Sequence, residues 1–138
     1  MEADYILIEA DLNSLKSFVE NLEKSYEIQI TKKPFLGLTM VKANDSVEKQ
    51  PFYLGEALVT ETEVSINNQA GIGICVGDES VRSYCVAVID ALLQLKDENL
   101  PIIQDFLDQQ AIEITKREKK AHHRIQKTKV DFKLMDQS

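Results

Sequence analysis

The sequence predicts a single α+β domain over residues 1–138, with antiparallel β-hairpins flanked by helices and an extended C-terminal tail. Three observations predict it. Apolar spacing changes from three-and-four to strict alternation and back along the chain. An Asn-Asn pair with following glycines marks a hairpin turn. No repeat, low-complexity tract or interdomain linker divides the 138 residues, a length at which one compact core is expected.

The elements follow in order. The opening YILIEA permits a strand through its β-branched content, but the run is short and leans towards helix. Leu12, Leu15, Val19 and Leu22 then recur at helical spacing, with Asp11 or Asn13 available as N-cap, so a helix covers about 12–24. From Tyr26 the period becomes two: Tyr26, Ile28 and Ile30 alternate with polar residues until Lys33 and Pro34 interrupt the ladder. Leu36, Leu38 and Met40 give a second strand, and Ala43–Pro51 reads as a polar loop.

A long strand region from Phe52 to Ile66 turns at Asn67–Gly71 and returns as GIGICVG, with Ile72, Ile74 and Val76 on one face. Gly71, Gly73 and Gly77 weaken this strand, so each marks a bulge, a close backbone approach or a positive φ angle. The sharper alternative is a phosphate cradle, although GxGxxxG is neither the Walker nor the dinucleotide pattern. Asp78 can cap a helix whose stripe is Val81, Tyr84, Cys85, Val88, Leu92 and Leu95. Asn99 and Pro101 punctuate the next helix, carried by Ile103, Phe106, Leu107 and Ile114 and expected to end near Arg124. Val130, Phe132 and Leu134 alternate with Asp131 and Lys133, a short extended signal.

Composition excludes several classes. With 43% hydrophobic and 28% charged residues, and eight Gly and Pro together, the chain is neither disordered nor fibrous. Its start carries acids where a secretory signal has a basic region, and no apolar run approaches the ~18 residues of a membrane span. A cytoplasmic protein is expected. Cys75 and Cys85 lack CxxC spacing and read as reduced, buried small hydrophobes. The net charge of −7 argues against general nucleic-acid binding. One segment departs from it: Lys116, Arg117, Lys119, Lys120, Arg124, Lys127 and Lys129 face only Glu118, giving +6 there and −13 elsewhere.

Candidate chemistry centres on Glu56 in YLGEALVTE. In a regular strand Leu54, Glu56, Leu58, Val64 and Ile66 share one face, which would set a carboxylate among core residues. Such a group is exposed by a bulge or edge, paired in a structural ion pair, or functional, and Gly55 beside it makes a bulge available. His122 and His123 point about 100° apart on a helix and do not readily share a metal; solvated histidines are the simpler reading, and no metal site is expected. The basic run is either a solvated helix end or an element that docks an acidic partner or a polyphosphate substrate. In the second reading Lys116, Arg117, Lys119, Lys120 and Arg124 steer a partner, and Val130, Asp131 and Phe132 sit in the anchoring tail, so that 116–138 combines a basic helix end with a docking tail.

FYLGEALVTETEV, the glycine-bearing strand and VIDALLQL together resemble the central block of the PhnG family of the carbon-phosphorus lyase system. YEIQITKKPFLGLTMVK upstream and TKVDFKLM downstream extend the similarity to about residues 26–135. The chain departs from the family where ANDSVEKQP replaces a glycine-rich loop, where GDE replaces Gly-Arg-Asp, and in DFKLMDQS, which lacks the usual second Phe and terminal Arg-Gly. The resemblance implies a subunit that works with PhnI, PhnH and PhnL in making α-D-ribose 1-alkylphosphonate 5-triphosphate from ATP and an alkylphosphonate, with loss of adenine. PhnJ would then cleave the carbon-phosphorus bond. It also implies no cofactor in this chain, ATP as co-substrate of the complex, and a subunit inactive alone. Two other readings are an independent small-ligand-binding or regulatory domain and an autonomous enzyme using Glu56 with a histidine.

Overall fold

The computed structural model describes residues 1–44 and 51–137, with side chains described for 1–40 and 55–121. Its elements are α1 (Ala3–Glu9), α2 (Leu12–Glu23), β1 (Ile28–Asn44), β2 (Pro51–Ile66), β3 (Gln69–Val76), α3 (Ser80–Leu95) and α4 (Leu100–Gln137). The strands form an antiparallel sheet in the order β1-β2-β3. The α3 helix packs on one face of the sheet, and α1, α2 and α4 pack around that helix. This is the α+β arrangement the sequence predicts.

YILIEA forms a helix, with Ile6 and Leu7 buried. The guanidinium of Arg82 donates to the carbonyls of Leu7 and Ala10 at 2.9 and 2.8 Å, satisfying acceptors that a helix end leaves free. Asp11 caps α2 by accepting from the Ser14 N–H at 3.0 Å. Two expected strands at Tyr26–Thr31 and Leu36–Met40 are one strand. Pro34 does not break β1 because it lies on an edge strand, between Lys32 and Phe35, where the register shifts against β2. Ala43, Asn44 and Pro51, expected in a loop, belong to β1 and β2; residues 45–50 of that expected loop lie outside the described residues.

Asn67 and Asn68 both adopt positive φ, 51° and 66°, and join paired Ile66 and Gln69 as a two-residue turn. Alternation then sends Gly71, Gly73 and Cys75 towards α3 and Ile72, Ile74 and Val76 to the opposite, exposed face. A Cβ on Gly71 would stand 2.2 Å from the Ala87 carbonyl oxygen, and one on Gly73 2.0 Å from that of Ser83. Close backbone approach is therefore what these two glycines provide, and the space a phosphate cradle would need is filled by the helix. Gly77 instead serves the turn, at φ 89°.

Two helix boundaries differ from expectation. The residue capping α3 is Glu79, with no side-chain cap; Asp78 is not used, because the Thr60 hydroxyl of β2 accepts the Glu79 N–H at 2.9 Å. The α3 stripe is also broader than its spacing suggests. Ser83, Cys85, Val86, Ala87, Val88, Ile89, Ala91 and Leu92 are all buried, since the sheet covers one side and the helical layer another. At the C-terminus, the backbone of α4 continues to Gln137 instead of ending near Arg124 and becoming extended. No Gly or Pro follows Pro101 to stop it, and Val130 and Leu134 also satisfy i, i+4 spacing. Ile103, Leu107 and Ile114 are buried, and Phe106 stacks on Phe18 with centroids 4.1 Å apart. No helix among the described residues is long and apolar enough to cross a membrane.

Candidate functional site

The VTETEV segment, which carries much of the family resemblance, turns out to hold α3 in place. Thr60, Thr62, Val64 and Ile66 alternate onto the buried face of β2. The Thr62 and Ser83 hydroxyls lie 2.7 Å apart, and Ser83 also donates to the Gly73 carbonyl at 2.9 Å. Thr60 donates to the Gly77 carbonyl at 2.6 Å while accepting from Glu79. These hydroxyls form a satisfied polar seam under the helix start, and among the described residues no buried side-chain polar atom lacks a partner. Two threonines at core parity in an apolar strand were the signal in the sequence for this seam.

Glu56 occupies the same face of β2 but is exposed. Pairing of β2 with β3 ends at Val59, and α3 begins beside Thr60, so neither element covers the strand before Leu58. Gly55 has φ 150°, and the β1–β2 register shifts between Val41 and Lys42, which leaves Leu54 out of step with Glu56. Exposure at a bulge, one of the alternatives for Glu56, is the arrangement found, and Met40 is its cross-strand partner.

Beside the sheet, α2, β1 and the start of α3 enclose a groove of about 350 Å³. Val19, Ile30, Pro34, Val81, Tyr84 and Cys85 form its apolar surface, with Lys16, Glu20, Glu23 and Ser80 around it. The Tyr84 hydroxyl donates to Glu23 at 3.0 Å. Burial, reinforced by that carboxylate, holds the Tyr84 phenol above its ordinary range. Burial also pushes the Cys85 thiol up to about 11, and raises that of Cys75. Both cysteines are free and buried, as expected. They are poor nucleophiles here.

The basic segment lies along α4. Lys116, Arg117, Lys119 and Lys120 are exposed, and Lys116 approaches Glu113 at 3.8 Å. Arg117 donates to the Glu9 carbonyl at 2.5 Å, and Tyr5 donates to Glu118, so α1 fixes the start of this ridge. A second hollow of about 500 Å³ runs beside it, lined by Met1, Ala111, Ile112, Thr115, Lys116 and Lys119. The side chains of His122, His123, Arg124, Val130, Asp131 and Phe132 lie outside those described. Among the described residues, no three His, Cys, Asp or Glu side chains gather where they could hold a metal ion. Glu56 and the Lys116–Lys120 ridge lie on separate elements, β2 and α4.

Comparison with known proteins adds to this geometry. A PhnG subunit of α-D-ribose 1-methylphosphonate 5-triphosphate synthase from Rhizobium meliloti (strain 1021) is 26% identical over 128 residues, covering 92% of this chain and 81% of that protein. The family model described as phosphonate metabolism protein PhnG matches residues 2–137, so the chain belongs to the PhnG family.

Proposed function

We propose that the chain is a cytoplasmic subunit of a synthase that forms α-D-ribose 1-alkylphosphonate 5-triphosphate from ATP and an alkylphosphonate, releasing adenine. The match over residues 2–137 to a family whose Rhizobium relative is named as a subunit of that synthase carries this reading. Its partners in the reaction are PhnI, PhnH and PhnL-type subunits, with PhnJ acting later on the carbon-phosphorus bond. ATP is a co-substrate of the complex, and this chain holds no cofactor.

The residues of the chain serve assembly in this account. Lys116, Arg117, Lys119, Lys120 and Arg124 form a basic steering ridge, and Val130, Asp131 and Phe132 continue it along α4 as an anchor. The geometry supports this: Lys116, Arg117, Lys119 and Lys120 are solvent-facing, Arg117 is held to α1, and α4 runs on to Gln137 after its last buried residue in the described portion, Ile114. Glu56, exposed beside a bulge, is available to a partner or substrate but has no base, nucleophile or cation hydrogen-bonded to it among the described residues. Co-expression of the tagged chain with the other subunits tests the proposal. Co-elution in defined stoichiometry is expected; a chain that elutes alone while the others assemble would overturn it.

A further inference from the structure

The hairpin of β1 and β2 outruns the rest of the sheet. β3 pairs with β2 only over Val59–Ile66, whereas β1 continues to pair as far as Pro51. The segment Pro51–Leu58 and its partners from Leu38 to Asn44 thus form a two-stranded arm, and a bare ribbon of two strands is marginal in water. On the face that continues the α3 side, Leu36, Leu38, Met40 and Leu58 are 52%, 69%, 57% and 43% exposed. By alternation this row follows directly from Pro34, which lines the groove with Ile30 and Val81. Together they make an apolar stripe on the order of several hundred Å², a size at which exposed patches mark interaction sites. The opposite face has no such continuity, because Glu61 and Glu63 of β2 separate Phe35 from Ile72 and Ile74.

Charge selects the occupant. Glu20 and Glu23 outnumber Lys16 at the groove, Glu56 lies across from Met40 on the arm, and the chain outside 116–129 carries −13. A second copy docked two-fold on the same patch would set these carboxylates against each other. An apolar ridge flanked by Arg or Lys would complement them. We infer that the arm's apolar stripe and the groove at its base form a docking surface for a larger subunit of the same synthase, one that presents an apolar ridge with basic flanks. This rests on the proposed subunit role and adds a second contact, built from β1, β2, α2 and the start of α3, whereas the basic ridge lies on α4.

The full chain and two single variants, Leu38→Glu on the stripe and Ile74→Glu on the opposite face, test it by sedimentation, thermal unfolding and titration against the assembled partner subunits. The expected result is a monomeric isolated chain, wild-type unfolding for both variants, and an affinity at least about tenfold weaker for Leu38→Glu but not for Ile74→Glu. If Leu38→Glu does not fold, Leu38→Ser gives the same comparison without a buried charge. Failure of the wild-type chain to assemble would remove the subunit role itself. Assembly of wild type and both Leu38 variants with equal affinity would overturn the docking surface alone. An isolated chain that is dimeric, and monomeric after Leu38→Glu, would overturn it in favour of a second copy.

Discussion

At the scale of single residues, the tightest constraint is the contact between β3 and α3. Gly73→Ala places a methyl group 2.0 Å from the Ser83 carbonyl oxygen, and backbone rather than a pliable side chain must yield. Urea unfolding should show a loss of about 1–3 kcal/mol or more; wild-type stability would mean that the helix does not sit this close. Thr62→Val removes one partner of the buried Ser83 hydroxyl and should cost roughly 1 kcal/mol, since Ser83 keeps its bond to Gly73. Glu56→Gln should leave unfolding unchanged because the side chain is already in solvent. Loss of assembly or of adenine release in that variant would identify it as a contact, whereas a drop of several kcal/mol would expose a buried pair. The Cys85 thiol is raised from 9.0 to about 11 in the folded chain, chiefly by burial. The unfolded chain therefore ionises first, so this contribution to stability is full below pH 9 and lost as pH rises towards 11. Tyr84 acts in the same direction. Denaturant midpoints between pH 8 and 11 should fall accordingly, and Cys85→Ala should flatten part of that fall.

At the scale of elements, what was legible in the sequence followed the strength of the local signal. The Asn67-Asn68 turn and the α2 cap were plain because each rests on residues that act within four positions of themselves. Pro34 misled because a proline breaks a central strand but is tolerated at an edge bulge, and edge position is a property of the sheet. The Val130–Leu134 alternation misled because five residues fit both periods. Glu56 was placed on the correct face, but its exposure depends on where α3 begins against β2, which no local pattern encodes. The groove joins residues up to about seventy positions apart, from Lys16 to Cys85, and was invisible for that reason, whereas the polar seam left a local signal in Thr60 and Thr62 but none that names their partner Ser83. The basic segment makes its own prediction. Deleting residues 128–138 should leave unfolding of the isolated chain unchanged but abolish capture of the partner subunits; clear destabilisation would instead mean that the segment packs on its own domain. Neutralising Lys116, Arg117, Lys119 and Lys120 should slow association chiefly at low salt, since exposed charges are screened within about 10 Å at 0.1 M.

At the scale of the molecule, the fold builds its helical layer on one face of a small sheet and leaves an apolar arm and a basic helix projecting from it. A chain that belongs to the PhnG family and spends so much of its surface in this way is suited to completing a larger assembly. The most direct measurement is adenine release from ATP and methylphosphonate by purified components. The account predicts none from the isolated chain, none or strongly reduced release from the other subunits without it, and recovery when it is added back. Adenine release by the isolated chain, or undiminished release by the other subunits in its absence, would contradict it.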